Sequence, residues 1–419
     1  MLVKKLPGLR WYIVSLLCIA SGLNYLDRQA LSVLAQTIQN ELHITTVQYA
    51  HITSAFLLSY TAMYAVSGWL VDRLGTRKSF LIFVSGWSVS CLLHAVARTA
   101  LQFSFFRFLL GATEPANFPA GIKAVSEWFP MRERTLAVGI FNGGVAVGAA
   151  IAAPLISWIA LMWGWQSAFV FGGVLGLIWV AAWAVLYRHP REHPWLGAEE
   201  LKLIESGDSP SDRAAALPFR RLLRVRTVWG CVAARMLLDP CSYFFTFWII
   251  KFLQQERGFD LVAVGKYSGI PFVALALGNV LGGAAPRILT GYGWSHNRAR
   301  KTVMVAVSCL VPLCCLLIPR AASPLLAVGL ISLAMFGHGA WGFMALPAEV
   351  LPKNVVGSVT GLAGALGGVM GILTQQLIGW TVQNVSFTPV FIGCACAYLA
   401  AFIAVSVLIG EIGKVNFPE

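Results

Sequence analysis

The stretch Gly68-Trp69-Leu70-Val71-Asp72-Arg73-Leu74-Gly75-Thr76-Arg77-Lys78 is a short charged joint between two long apolar runs, near 49–70 and 79–97. About 20 helical residues at 1.5 Å each cross a ~30 Å hydrocarbon core. The joint therefore reads as a tight loop between two membrane-spanning helices. Gly68 allows a neighbouring helix to approach closely, and Gly75 permits the turn.

Composition agrees with lipid as the solvent. Of 419 residues, 58% are hydrophobic and 12% charged, about half the charge of a soluble protein. Further apolar runs lie near 11–35, 101–123, 135–158, 165–187, 227–252, 265–287, 301–319, 325–348, 356–382 and 388–410. With the first two they make twelve candidate spans, so an all-α membrane protein is expected. Trp11, Tyr12, Trp128, Trp158, Trp163, Trp165, Tyr187, Trp229 and Trp380 gather near the ends of these runs, where amphipathic rings favour the headgroup level. The net charge of +13 raises nucleic acid as a partner, and its placement argues against one. About 23 of the 31 Lys and Arg fall in alternate loops sharing one face, about five on the other and three inside spans, the positive-inside bias. Both termini are then cytoplasmic. All nine cysteines lie in apolar runs without paired CxxC spacing, so neither a disulfide framework nor a metal or other cofactor is expected. The run after Lys4 and Lys5 is too long for a signal h-region, and no small-residue cleavage site follows it.

The longest polar stretch, 188–226, separates 1–187 from 227–419, with six candidate spans in each. It carries an amphipathic piece from Leu196 to Ile204 and a basic run of Arg220, Arg221, Arg224 and Arg226, together suited to a helix lying on the inner leaflet. The joint has an echo in the second half: Gly283-Ala284-Ala285-Pro286-Arg287-Ile288-Leu289, then Gly291, Gly293, Arg298, Arg300 and Lys301. Two related halves place a substrate site between them near the midplane, one half rocking against the other. Asp72 is then expected to accept from Arg77, or from a helix N-terminus across the half-interface, latching one conformation, with Arg73 completing the joint. Pro286 stands where an acid might in the second copy, so that latch is weaker.

The spacing Gly-x3-Asp-Arg-x-Gly-x-Arg-Lys, with twelve spans and a mid-chain break, resembles the signature of the major facilitator superfamily. That likeness implies two pseudo-symmetric six-helix bundles. Glycine-rich runs agree: Gly139, Gly143, Gly144 and Gly148 in the fifth span, and Gly361, Gly364, Gly367, Gly368 and Gly371 in the eleventh. Small faces permit close, slidable contact, with static packing an equal reading at any single glycine.

Six ionisable residues are read well inside spans: Asp27, Arg28, Arg107, Glu114, Arg235 and Asp239. Each costs at least ~2.5 kcal/mol by insertion scales, so each needs a partner or a role. At 1.5 Å per residue, Asp27 and Arg28 lie ~24–26 Å above a start at Trp11, and Arg107 lies ~9 Å below Leu101 on a descending helix, at nearly the same depth. Glu114 follows two turns later on the same face, and Tyr60 reaches similar depth on the second span. Tyr25, Asp27, Arg28, Tyr60, Arg107 and Glu114 are expected to form one cluster. A guanidinium clamps a carboxylate bidentately, and a carboxylate that loses its arginine to an arriving anion takes up a proton. That exchange is anion–proton symport chemistry, against the plainer reading of static ion pairs. Arg235 and Asp239, four apart on one helix, are expected to pair with each other.

The fourth-span stretch Arg107-x3-Gly111-Ala-x-Glu114-x2-Asn-Phe-Pro119-Ala-Gly, running on to Ser126-Glu127-Trp128-Phe129-Pro130 and Arg132-Glu133-Arg134, resembles the anion:cation symporter branch. That branch includes bacterial hexuronate, galactonate and glucarate importers and animal sialic-acid and vesicular glutamate carriers. Gly8-Leu9-Arg10-Trp11-Tyr12 and Trp165-Gln166-x-Ala168-Phe169 look most like the hexuronate importers. The resemblance implies a bacterial inner-membrane, monomeric carrier of a small organic anion and protons. In it Arg28 and Arg107 hold the substrate carboxylate, Asp27 and Glu114 carry the proton, and Tyr25 and Tyr60 meet the sugar hydroxyls. The galactonate carriers place an amide about one turn into the fifth span, where Val145 stands here with Asn142 one turn away; Gln375 and Gln376 are the amides of the eleventh span. Trp248 is a further candidate contact, and Tyr243, His338 and Trp341 are weaker ones. A multidrug antiporter on the same fold and a non-transporting membrane sensor are the competing readings. Arginines beside the acids favour an anion over a cationic drug. An enzyme is not expected, because no Ser/His/Asp, metal-ligand or phosphate-cradling arrangement appears outside the spans.

Overall fold

A computed structural model describes residues 5–205, 222–351 and 353–412. Regular structure among them is helical throughout. The N-terminal group is α1 (Leu9–Val33), the short α2 (Ala35–Leu42), α3 (Thr46–Leu74), α4 (Thr76–His94), α5 (Ala100–Thr113), α6 (Asn117–Trp128), α7 (Met131–Trp163) and α8 (Trp165–Leu186). After α9 (Ala198–Glu205), the C-terminal group is α10 (Arg226–Phe247), α11 (Ile249–Arg257), α12 (Leu261–Tyr267), α13 (Ile270–Gly291), α14 (His296–Leu317), α15 (Pro324–Trp341), α16 (Leu346–Val350), α17 (Lys353–Asn384) and α18 (Thr388–Leu408). Thr45 and Thr99 start α3 and α5 with capping boxes closed by Gln48 and Gln102, satisfying two orphan backbone donors at each start.

Among the described residues, eight helical rods are long and apolar enough on their own to cross a membrane, and α10 with α11 forms a further span bent by 54°. The run read as 101–123 is not one rod. Pro115 stands in a 3-10 turn, Glu114–Ala116, between α5 and α6, because proline interrupts the α-helical ladder. The turn puts Glu114 at the break in the span. α4 is also short of a full apolar crossing, with Arg77 and Lys78 in its first turn. Counting α5 with α6, α10 with α11 and α12 with α13, the described helices make twelve passes, an even number that returns α18 to the end at which α1 begins, the terminal end.

Each group packs chiefly within itself. A Cβ on Gly144 would lie 2.0 Å from the Cys18 carbonyl oxygen, and one on Gly148 2.3 Å from that of Gly22, so α1 and α7 touch backbone to backbone as small residues allow. Between the groups, α17 lies on α3, α7 on α12 and α13, and α11 on α1 and α2.

Two expectations are corrected at the terminal end. Asp72 pairs with neither Arg77 nor a helix of the other group; its Oδ1 accepts from Lys123 Nζ at 3.0 Å. Lys123, on α6, also donates to the carbonyl oxygens of Val71 and Asp72, because the unsatisfied carbonyls at the end of α3 attract a cation. Arg77 reaches the Ala184 carbonyl at the end of α8, 2.6 Å away, and Arg73 lies over the Trp69 ring. The joint thus fastens the N-terminal group internally, around Gly75 at φ 79°, and Gly68, expected to admit a close helix, has nothing within 4 Å of a Cβ placed on it. The amphipathic piece keeps an exposed apolar side chain at Leu203 and also contacts protein through Glu200. Glu200 of α9 accepts from the backbone N–H groups of Leu9 and Arg10 and from the Arg10 guanidinium, which also holds Glu133. A carboxylate fits there because the first turn of α1 presents free donors. Arg220 and Arg221 lie outside the described residues.

Candidate functional site

Arg28 on α1 points toward the interface between the groups and holds Glu114, with Nη2 and Nε donating to Oε2 at 2.6 and 3.0 Å. The Glu114 side chain is fully buried, and Arg28 keeps 11% exposure. Three rings cradle the guanidinium: Tyr60 at 4.7 Å, Tyr25 at 4.8 Å and Phe56 at 5.2 Å. Arg107, buried on α5, points both terminal nitrogens at the Arg28 carbonyl oxygen, 3.5 Å away. The break at Pro115 aims Glu114 sideways out of its helix, and α1 brings Arg28 to meet it.

Asp27, the preceding residue on α1, faces a different side, turned by the 100° that separates neighbours on a helix. It lies inside the N-terminal group, where its Oδ1 accepts from the Cys91 thiol at 3.4 Å. A Cβ on Gly172 of α8 would sit 2.3 Å from that oxygen, so glycine makes room for the carboxylate. Asp27 remains within electrostatic reach of Arg107 and of the like-charged Glu114, and makes no ion pair with Arg107 among the described residues. Asp27 Oδ2, Arg107 Nε and Glu114 Oε1 are buried and make no hydrogen bond with the described residues. The cluster expected from helix depth is assembled, divided between an interface side (Tyr25, Arg28, Tyr60, Glu114) and an inner side (Asp27, Arg107).

Across the interface, Arg235 and Asp239 pair at 2.7 Å, as their spacing on one helix implies. Gly367 of α17 leaves room for this pair, because a Cβ there would meet Asp239 Oδ2 at 2.1 Å. Gly368 and Gly371 similarly admit Thr61 and Tyr243, whereas Gly361 has nothing within 4 Å. His338 bonds Ser242 and Tyr398 in the interior of the C-terminal group, and the Trp341 indole N–H donates to Ser308.

Three other expected contacts lie away from Arg28, toward the far end. Trp248 is fully buried at the bend between α10 and α11 and donates to Gln375 Oε1 at 2.5 Å. Thr53 of α3 donates to the same oxygen, and Gln376 donates to Ser54 at 2.6 Å. Tyr49 OH reaches the Phe247 carbonyl, and Gln383 accepts from Val47 N–H. The bonds of Thr53, Ser54, Tyr49 and Val47 join the two groups and seal the far end, and the one from Trp248 fixes Gln375 within the C-terminal group. Asn142 is exposed on α7, outside the cluster.

The sequence reading left out one intramembrane charge. Lys251, on α11, is fully buried, and the six charges counted from the spans omit it because it stands at the margin of the run 227–252. Its only advance signal is a lysine within one turn of the aromatic-rich end of that run.

A family model described as the Major Facilitator Superfamily matches residues 17–375. The chain is 33% identical over 405 residues to the hexuronate transporter of Escherichia coli strain K12, covering 96% of this chain and 93% of that one. It is 37% identical over 291 residues to the galacturonate transporter of Dickeya chrysanthemi, covering 69% and 84%. In structure it resembles an inward-facing, unoccupied bacterial homolog of the human lysosomal transporter Spinster, with TM-score 0.72, 17% identity and coverage of 97% and 96%. The chain is a multi-pass membrane protein of the Major Facilitator Superfamily, a family of transporters rather than enzymes.

Proposed function

We propose that the protein is a proton-coupled symporter importing a sugar acid of the hexuronate class by alternating access. The observation that carries this reading is the Arg28 guanidinium, ringed by Tyr25, Phe56 and Tyr60 and occupied by Glu114. A cargo carboxylate competes with Glu114 for the same donors. Once displaced, Glu114 is a buried carboxylate without its counter-charge and takes up a proton, so cargo and proton travel together. Arg107 holds positive potential behind the site, and Asp27 is a second proton carrier. The phenolic groups of Tyr25 and Tyr60 suit the hydroxyls of a sugar acid. Relatives named as hexuronate and galacturonate transporters support the substrate class. The arginine at the interface disfavours a cationic drug.

In this reading 1–187 and 227–419 are the rocking bundles and 188–226 links them. A monomer suffices, both termini are cytoplasmic in a bacterial inner membrane, and Trp248, Gln375, Gln376 and Asn142 meet cargo only after the far end opens. The test is uptake into proteoliposomes of galacturonate, glucuronate, galactonate and glucarate, with and without an inward proton gradient. Accumulation of at least one, abolished by a protonophore, is expected; uptake of none, or accumulation indifferent to the protonophore, overturns the reading.

A further inference from the structure

Among the hydrogen bonds joining the two helix groups at the far end, those of Lys251 are the charged ones among the described residues. Its ammonium donates to Gln39 Oε1 of α2 at 2.5 Å and to Thr46 Oγ1 of α3 at 3.1 Å. It also sits 4.9 Å from the Tyr49 ring centre and 5.5 Å from that of Trp248. No carboxylate lies within ion-pair distance of it among the described residues. A buried ammonium held only by neutral oxygens and ring faces lacks the counter-charge that such a group normally needs. Gln39 and Thr46 also line a depression of about 270 Å³ on the far surface, together with Gln36, Asn40, Gln255 and Gln383. From there neutral polar groups descend along α3 toward Arg28: Tyr49, Thr53 with Gln375, and Ser54 with Gln376.

We propose that Lys251 and this amide-lined depression form a capture site for the cargo anion at the far end. Gln39 and Thr46 occupy the ammonium while that end is sealed. When the groups part, both acceptors leave with the N-terminal group, and Lys251 stays on α11, exposed to the vestibule. The cargo carboxylate takes their place, and the amides receive its hydroxyls before it passes to Arg28. This rests on the sugar-acid reading above.

The test measures initial galacturonate uptake from each face, in right-side-out and inverted vesicles, for wild type, Lys251→Gln and Lys251→Arg. For uptake from the far side, Lys251→Gln should raise KM about tenfold, the worth of one charge-assisted hydrogen bond. KM from the terminal side should stay within about twofold, and Lys251→Arg should recover most of the far-side loss. Raising ionic strength should increase the far-side KM of wild type more than that of Lys251→Gln. A Lys251→Gln protein with unchanged far-side KM, or with equal losses at both faces, overturns the proposal. So does a loss confined to the maximal rate, which would make Lys251 a gate fastener alone. If Lys251→Gln is poorly inserted, the salt dependence of wild type at the two faces decides: equal dependence overturns it. Wild-type vesicles that carry none of the sugar acids refute the transport reading instead.

Discussion

Replacing Glu114 with Gln removes the group with which cargo must compete. Arg28 gives two donors to one carboxylate oxygen, at 2.6 and 3.0 Å, in a site where the Glu114 side chain is fully buried. Glutamine keeps the shape and an acceptor oxygen but not the charge. A hydrogen bond to a charged group contributes ~1.5–3 kcal/mol against ~1 for a neutral one. With two donors each worth about 0.5–2 kcal/mol less against the neutral acceptor, the anionic cargo should bind Glu114→Gln about five- to several-hundredfold more tightly than wild type. The empty variant should be less stable, because Arg28 is left buried without a counter-charge, at a cost of about 3–5 kcal/mol. Saturating galacturonate should restore much of its Tm. Binding is read by tryptophan fluorescence titration between pH 6 and 8. Wild-type affinity should fall as pH rises, since the bound state carries the extra proton, and the variant should lose most of that slope. Counterflow should survive while accumulation on a pH gradient is lost. A folded variant that binds no more tightly than wild type, or still concentrates substrate on a proton gradient, refutes the partner exchange.

Arg28→Ala should abolish galacturonate binding in a thermal-shift titration, and Arg28→Lys, which keeps charge without the planar fork, should weaken it about tenfold; unchanged affinity in Arg28→Ala removes the residue from the site. Asp239→Asn strands Arg235 and should lower stability by about 3–5 kcal/mol, whereas the double variant Arg235→Gln, Asp239→Asn should recover most of the lost Tm. Gly148→Val drives a side chain into the Gly22 carbonyl and should leave little monodisperse protein on size-exclusion chromatography, whereas Gly139→Val, with nothing within 4 Å, should purify normally.

Much of the architecture was legible because lipid allows few solutions: backbone polar groups must be satisfied within the span, so apolar length reports crossings directly. The central charges were legible for the same reason, each being too costly to stand unassigned. Direction was harder to read. Depth along a helix placed Asp27 beside Arg28, but a 100° step sends one carboxylate toward Cys91 and the guanidinium toward Tyr60. The joint misled because motif spacing names groups able to bond without saying which carbonyls lie nearest; the exposed ends of α3 and α8 took Lys123 and Arg77. The amides of α17 stand out in the sequence as polar groups in an apolar span. Their partners, Thr53 and Ser54, depend on how α3 and α17 dock, which periodicity does not record.

The chemistry of the far-end seal fits a gate that must open under the influence of a small ligand. Its crossing bonds run from amides, hydroxyls and one ammonium to neutral acceptors. Each neutral bond contributes ~0.5–1.5 kcal/mol net and one from the ammonium ~1.5–3, because water replaces them on opening. A handful sums to a few kcal/mol, the scale on which two conformations remain interconvertible and on which one carboxylate exchanging for Glu114 at Arg28 can change the balance. A seal of buried carboxylate–guanidinium pairs would strand bare charges each time it parted. Among the described residues the structure keeps such pairs within each helix group, Arg28 with Glu114 and Arg235 with Asp239, so rocking the groups parts no ion pair, frees the Lys251 ammonium from neutral acceptors alone, and leaves the ion pairs for the cargo to break.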